Sequence, residues 1–328
     1  MSEDFSFFAE GYKFHPAFKQ GRWDGKIKLI HSGTQTCGVG LLPDLIRFCR
    51  SRSYSFVIDD ELKPRNDSTI DVDKFVSSLD LPFDPYDYQL RAINDCLKYH
   101  RLVVQSPTGS GKSLIIYSLI RWLQAHDKKI LLIVPNISLL SQMSSDFDEY
   151  SVDNGWRAED NVHLVKAGIE KSSVKPITIS TWQSLQKEDR SYFDQYDAIM
   201  VDEAHQAKSV SISKILNNCN AAYRFAFSGT IDGGKYVNRL TIQSLFGKII
   251  NTTTTRELID DGKLTETSIK CILLKHKVKM KKSTYQDEIK YLLEHEKRNE
   301  MIVKLALSSS KKGNTLVLFN VIEHGKLL

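Results

Sequence analysis

Cysteine is scarce and scattered: Cys37, Cys49, Cys96, Cys219 and Cys271 include no C-x-x-C pair and have no histidine cluster beside them. That spacing excludes a disulfide framework and a zinc site, so the five read as free thiols. There is no apolar run of about eighteen residues, the length a membrane helix needs. The opening MSEDFSFFAEG has neither the basic start nor the apolar centre of a signal peptide. A cytoplasmic protein without membrane association is expected. A dominant charge is missing too: 45 Lys and Arg face 40 Asp and Glu, for a net +5. That balance does not establish a polyanionic partner, and where the charges fall matters more than their sum. What is present is a 328-residue chain, 41% hydrophobic, long enough for a full core and more than one domain.

Residues 1–80 read as a small α+β module and linker. Arg22 to Ile30 is predicted as a strand, HSGTQ as a turn, TCGVGLL as the returning strand, PDLIRFCRSR as a helix with proline in its first turn, and YSFVID as a closing strand. The polar, Pro-containing DDELKPRNDST then reads as linker. From residue 81 to about 255 the pattern changes to short apolar runs, RLVVQ, KILLIVP, ITIS, AIMVDE and RFAFSG, alternating with helical stretches. Near-continuous apolar runs of this length belong to strands buried on both faces, hence an α/β fold with a parallel sheet covered by helices on both sides. The motifs fall at the C-terminal ends of those strands, where ligands bind in open α/β sheets.

The stretch QSPTGSGKS, residues 105–113, fits the phosphate-loop pattern except that Ser106 replaces the first glycine. Gly109 and Gly111 free the backbone to point N–H groups at an anion, and the helix from Lys112 adds its positive end. Lys112 would reach the outer phosphates and Ser113 would offer its hydroxyl to a magnesium ion, with Thr108 and Ser110 completing the loop. AIMVDEAH, residues 198–205, ends a buried strand in Asp202-Glu203. One carboxylate there can hold the magnesium shell and the next can orient or deprotonate an attacking water, which favours hydrolysis over transfer.

Together these residues resemble superfamily 2 helicases and translocases. SPTGSGKS matches motif I, Asp202-Glu203-Ala204-His205 motif II, and Ser228-Gly229-Thr230 motif III. IVPNISLLSQM is similar to motif Ia, ISTWQSL to the DNA-contacting segment before motif II, and FDPYDYQLRAI to the adenine-recognition motif. The resemblance implies a RecA-like motor domain that binds ATP with Mg2+. Gln89 would bond the adenine edge, Tyr86 would stack nearby, and His205 would couple the ATP site to Ser228 and Thr230. From the position of His205 alone, a helix-capping role stands equally open.

A narrower resemblance is to the recombination and repair helicases of T-even bacteriophages. It rests on FKQGRWDGKIKL at residues 18–29, TTTTRELIDDGKLTE after the first motor domain, and RNEMIVKLA with NTLVLFNVIEHGK near the end. It implies an enzyme that remodels branched DNA in recombination, repair and replication restart, as a monomer in the cytoplasm of a bacterial host. Two departures are expected: an initial strand-forming segment of that group is missing, and residues 256–328 hold a connecting segment and only the start of a second RecA-like domain. GNTLVLFNVIEHGKLL would be that domain's first strand and the start of a helix. An arginine finger, which the resemblance assigns to the second domain, is worth about three to five orders of magnitude in turnover. The chain alone is therefore expected to bind nucleotide but to hydrolyse it very slowly.

For nucleic acid, Lys19, Arg22, Lys26 and Lys28 surround Trp23 on a predicted hairpin. They read either as phosphate-neutralising cations around a stacking ring or as a solvated strand face over a core tryptophan. In the motor, Asn136, Ser138, Thr181, Trp182 and Gln183 lie just beyond strand ends, suited to sequence-independent phosphate contacts, with packing the other reading for Trp182. Lys263 to Lys282 holds seven lysines against Glu266, as either a nucleic-acid path or an exposed edge strand.

Two further classes remain open: the motor subunit of a restriction enzyme, for which no nuclease carboxylate cluster is found, and a nucleotide-sensing DNA-binding fragment without turnover. An RNA helicase is not excluded by the letters DEAH. A transporter ATPase is, since the L-S-G-G-Q signature is absent.

Overall fold

The computed structural model describes residues 3–9, 11–62, 71–166, 168–205, 210–231, 236–275 and 284–328. They form two compact units, Met1–Glu266 and Thr267–Leu328. Much of the expected linker, and Lys277, Lys279, Lys281 and Lys282 of the expected basic stretch, lie outside the described residues.

In the first unit, β1 (Ser6–Phe8) pairs antiparallel with β2 (Lys26–Lys28), and β3 (Ile30–His31) with β4 (Thr36–Cys37). The single strand expected over Arg22–Ile30 is thus two short ones. They are separated by Leu29, which is buried with Phe5, Leu41 and Leu240. A strand does form at the N-terminus, where none was expected. TCGVGLL does not continue as a strand beyond Cys37 but turns into the 3-10 segment Val39–Leu41. The reason is a close approach: a Cβ on Gly40 would stand 1.8 Å from the Gln243 carbonyl oxygen, and one on Gly38 2.2 Å from that of Ser244. Backbone that could have paired in a ladder is pressed instead on the helix Tyr236–Phe246. PDLIRFCRSR does form a helix, Leu42–Ser51. Tyr54–Asp59 makes no strand; Val57 is 98% exposed, so burial offers nothing to hold it in a sheet.

The main sheet has seven parallel strands, β5 (Arg101–Gln105), β6 (Ile130–Val134), β7 (Val162–Val165), β8 (Ile177–Thr181), β9 (Ala198–Val201), β10 (Tyr223–Ser228) and β11 (Lys248–Asn251), in the order β11-β5-β10-β9-β6-β8-β7. Alternate side chains face opposite layers. Leu102, Val104, Leu132, Met200 and Phe227 pack under the helices Val72–Ser77, Asp87–Tyr99, Lys112–Ala125 and Ile137–Tyr150. Val103, Ile133, Ile199, Val201 and Ala226 pack under the helix Val210–Asn218 and the helix Tyr236–Phe246. Strands β6, β8 and β9 are buried at every residue, which is why each reads as an unbroken run suited to a doubly covered sheet. The edge strands β7 and β11 escaped sequence reading because each is only partly buried and carries polar residues in a short span.

The register sets Ser228 beside Gln105, Thr181 beside Val134, and Val201 beside Ile133 and Ala226. The loops that follow these strands therefore emerge on one end of the sheet.

The second unit holds helices Tyr285–Glu294, Glu296–Ser310 and Ile322–Leu327. His324 is buried, its Nε2 3.1 Å from the Asn299 side-chain oxygen. The strand expected in GNTLVLF is not formed: Leu316 to Phe319 is unpaired and Leu318 is 84% exposed. An apolar strand needs a neighbouring ladder, and the described residues of this unit supply none. No described helix is long and apolar enough to cross a membrane.

Candidate functional site

Between β5 and the helix from Lys112 the chain makes a tight cradle. Gly109 and Gly111 sit at φ 81° and 74°, left-handed values that favour glycine. Space imposes the same choice: a Cβ on Gly111 would lie 2.3 Å from Gln89 Nε2, and one on Gly109 2.6 Å from Leu264 Cδ2. The departure from the glycine pattern also has a structural account. Ser106 is fully buried, its hydroxyl 2.6 Å from that of Ser110 and accepting a 2.7 Å bond from Thr252. Ser110 Oγ in turn donates to the Pro107 carbonyl. A hydroxyl thus ties the loop to the residue after β11. The Lys112 ammonium donates back to the Ser106 and Pro107 carbonyls at 3.2 and 3.4 Å.

On the next strands, Asp202 and Glu203 follow β9. Burial pushes the Asp202 carboxyl up to about 6; the Glu203 charge also raises it, while the Glu203 amide, Lys112 and His205 pull it down. Glu203 is a non-glycine residue in the left-handed region, φ 49°, a strained conformation of the kind that collects at functional sites. That backbone turn brings its carboxylate within 3.1 Å of His205 Nδ1, which also lies 3.1 Å from Ser228 Oγ. A carboxylate only accepts, so Nδ1 carries the proton. Ser228 then donates to the Thr230 carbonyl. Gly229 stands by the phosphate loop, its direction of substitution 3.8 Å from Thr108 Oγ1. The three motifs expected to act together are therefore in contact.

Ser113 takes a different direction. Its hydroxyl lies 2.7 Å from the Tyr150 hydroxyl, on the helix Ile137–Tyr150. The donor set available for a magnesium ion is one hydroxyl and the carboxylates of Asp202 and Glu203. This suits an ion that keeps several waters and takes its other ligands from phosphate oxygens.

On the expected base side, Gln89 is 3% exposed and sits beneath the loop: Nε2 donates to the Ser110 carbonyl at 3.0 Å and Oε1 accepts from Tyr86 N. Tyr86 is exposed and stacked on Tyr88 at 5.5 Å. The Lys263 ammonium lies over both rings, 4.2 Å from the Tyr86 centroid. Tyr88 OH donates to the Ser110 carbonyl, and burial raises its phenol to about 12.

Beyond β6 and β8 runs an open groove of about 780 Å³. It gathers the expected Asn136, Ser138, Thr181 and Gln183, and it adds Lys166, Lys171 and Lys187. Asn136 caps the helix Ile137–Tyr150 by accepting from Leu139 N, and the Thr181 hydroxyl is 3.1 Å from that of Ser184. Trp182 does not line this groove; it packs against the core cluster.

The expected cationic group of the small module is more dispersed. Trp23 precedes β2 rather than lying on a strand, and its indole N–H donates to the Lys26 carbonyl while His15 packs on it edge-on. Lys28 pairs with Asp24 at 2.8 Å, Lys26 lies over the Phe8 ring, Lys19 ends the short helix Pro16–Lys19, and Arg22 is exposed.

Known proteins bear on this arrangement in three ways. Residues 1–59 match the family described as DNA helicase UvsW, N-terminal, and residues 82–233 the family described as Type III restriction enzyme, res subunit. The ATP-dependent DNA helicase uvsW of Enterobacteria phage T4 is 34% identical over 347 residues, covering 100% of this chain and 68% of that protein. The chain belongs to the UvsW helicase family. Two crystal structures of UvsW from bacteriophage T4 are similar at 30% identity. One has TM-score 0.68, over 76% of this chain and 91% of that one; the other has TM-score 0.70, over 99% and 66%. The restriction-enzyme reading is less supported, because that match stops at the motor core whereas the UvsW likeness runs through both ends.

Several site contacts were not assigned to the site from the sequence. Thr252 and Leu264 reach the phosphate loop from more than a hundred residues away. Lys166, Lys171 and Lys187 carry no motif. The only signal for the Ser106–Ser110–Thr252 tie was the missing first glycine.

Proposed function

We propose that this chain is an ATP-dependent DNA helicase that remodels branched DNA in recombination, repair and replication restart. The observation that carries the reading is the His205 imidazole, which touches both the Glu203 carboxylate and the Ser228 hydroxyl. A hydrolysis site and a second motif are thereby joined by one proton-bearing ring.

In this reading ATP lies with its phosphates on the amides of residues 108–113. Lys112 exchanges its two loop carbonyls for phosphate oxygens, adding a charge-assisted contact to the cradle. Ser113 and Asp202 would hold magnesium, which would supply positive charge against the phosphates. Glu203 orients a water in line with the terminal phosphorus and takes its proton. The water oxygen bonds to phosphorus, the bond to the bridging oxygen breaks, and ADP and phosphate leave. Tyr86 offers a ring face to the adenine, and Gln89 supports the loop from below while lying close to the base. For Tyr86 to receive the base on the face that Lys263 now covers, that ammonium must withdraw. Nucleic acid lies along the groove lined by Asn136, Ser138, Thr181 and Gln183, its phosphates neutralised by Lys166, Lys171 and Lys187. Lys19, Arg22, Lys26, Lys28 and Trp23 form a second, more exposed contact in the small module.

The test is ATP hydrolysis with no DNA, with single strands, with duplex and with a four-way junction, alongside strand separation on the junction. With a complete second RecA-like domain joined to the chain, DNA-stimulated turnover, highest on the junction, is expected, and with the chain alone only slow turnover. Nucleotide binding without stimulated turnover on any DNA in the joined protein would replace the helicase reading with that of a nucleotide-sensing DNA-binding protein.

A further inference from the structure

Ser106 stands where the phosphate-loop pattern has glycine, and every polar atom of it is engaged. Its N–H donates to the Ser228 carbonyl at 2.9 Å, and its carbonyl accepts from the Lys112 ammonium at 3.2 Å. Its fully buried hydroxyl lies 2.6 Å from Ser110 Oγ and accepts from Thr252 Oγ1 at 2.7 Å. The order of donation follows from the last member: Ser110 Oγ donates to the Pro107 carbonyl at 2.6 Å, and a carbonyl only accepts. Each hydroxyl has one proton, so Ser106 donates to Ser110 and Thr252 donates to Ser106. These bonds run from the end of the sheet into the phosphate loop itself.

Thr252 is a fixed post for them. It follows β11 directly, and its own N–H donates to the Gln105 carbonyl at 3.1 Å, so the sheet holds its backbone. Within the loop, Pro107 to Ser110 form a turn closed by the Ser110 N–H on the Pro107 carbonyl at 3.2 Å, with Gly109 at φ 81°. Glycine gives the loop its close approach to an anion, and it also loses the most conformational freedom when the loop is ordered. A contact that sets the shape before the anion arrives removes part of that cost from binding. The Thr252 hydroxyl makes such a contact only because residue 106 is serine; a glycine there would offer it no oxygen to bond.

We infer that Thr252 is a positioning residue for the nucleotide, holding the phosphate loop in its binding shape through the Ser106 and Ser110 hydroxyls. The inference rests on the reading that ATP phosphates lie on this loop, and Lys112→Ala tests that reading separately.

The experiment is equilibrium binding of a fluorescent ribose-labelled ADP to the whole chain, in Mg2+ and again in EDTA. The proteins are the parent, Thr252→Val, Thr252→Ser, Ser106→Ala, the double variant of Ser106→Ala with Thr252→Val, and Lys112→Ala. Valine keeps the shape of threonine without its hydroxyl, serine keeps the hydroxyl, and melting temperatures check the fold of each. The expected result is that Thr252→Val weakens binding by about two- to tenfold, the range of one hydrogen bond, equally in Mg2+ and in EDTA. Thr252→Ser binds within about twofold of the parent. Ser106→Ala weakens binding in the same direction, and adding Thr252→Val to it has no further effect.

If Lys112→Ala weakens binding and Thr252→Val does not, the positioning role is wrong and the phosphate-loop reading stands. If Lys112→Ala leaves binding unchanged, both fail. Full additivity of Thr252→Val and Ser106→Ala overturns the inference, as does a loss confined to Mg2+ or a loss that Thr252→Ser shares. Should the valine variant not fold, Ser106→Ala carries the test, and parental affinity in that protein overturns the inference.

Discussion

His205 Nδ1 is 3.1 Å from Ser228 Oγ, across the gap between the loop that follows β9 and the last residue of β10. Ser228→Ala removes that acceptor without touching the phosphate loop. ADP affinity should stay within about twofold, while ATP consumed per base pair separated should rise. A proportional fall in hydrolysis and unwinding would show that this contact does not couple them.

Lys112 and Glu203 should fail differently. Lys112→Ala removes a charged contact to phosphate and should weaken ATP binding by about tenfold or more. Glu203→Gln keeps size and polarity but not the base, so ATP should stay bound while turnover falls by about two to four orders of magnitude. Filter binding beside single-turnover hydrolysis distinguishes them, and a Glu203→Gln protein with parental turnover would remove that residue from the mechanism.

The raised Asp202 carboxyl makes stability depend on pH. In the protein free of metal and nucleotide, its folded value of about 6 lies above the ordinary value of 3.8. Between those values the folded state holds a proton that the unfolded state has released. This group's contribution is therefore fully present below 3.8 and is lost as pH rises through about 6. Thermal unfolding between pH 5 and pH 7.5 should show a smaller decline in Asp202→Asn than in the parent, and identical slopes would show that the carboxyl is not buried as described.

The Gly40 contact with Gln243 makes the small module part of the motor unit. Gly40→Val would drive a side chain into a backbone carbonyl and should destabilise the unit by about 1–3 kcal/mol, the cost of overpacking. Faster proteolysis between residues 52 and 71 should accompany the lower melting temperature. Unchanged proteolysis and stability would mean that the interface does not form in solution.

If the basic groove holds phosphates, each lysine that neutralises one adds to the salt dependence of binding. Replacing Lys166, Lys171 and Lys187 by alanine should weaken binding to DNA of any sequence and lower the salt slope by about one for each phosphate left without its cation. The same change at Lys19, Arg22 and Lys26 should have a smaller effect, because that cluster is dispersed. Equal salt slopes in parent and groove variant would place the nucleic acid elsewhere.

The sequence by itself determined the doubly covered parallel sheet, because strands buried on both faces must be apolar at successive positions, as in ILLIV and AIMV. It also determined the loop residues around Lys112 and the Asp202-Glu203 pair, because phosphate chemistry constrains residues close together in the chain. Only the tertiary structure decided what those residues touch. The tie from Ser106 to Thr252, the cover of Leu264 over Gly109, and the hold of Tyr150 on Ser113 all join positions far apart in sequence, where no local periodicity exists to be read. The small module shows the same limit in reverse. TCGVGLL has the composition of a strand, but its two glycines are used for approach to the helix Tyr236–Phe246, a packing demand set by residues some two hundred positions away.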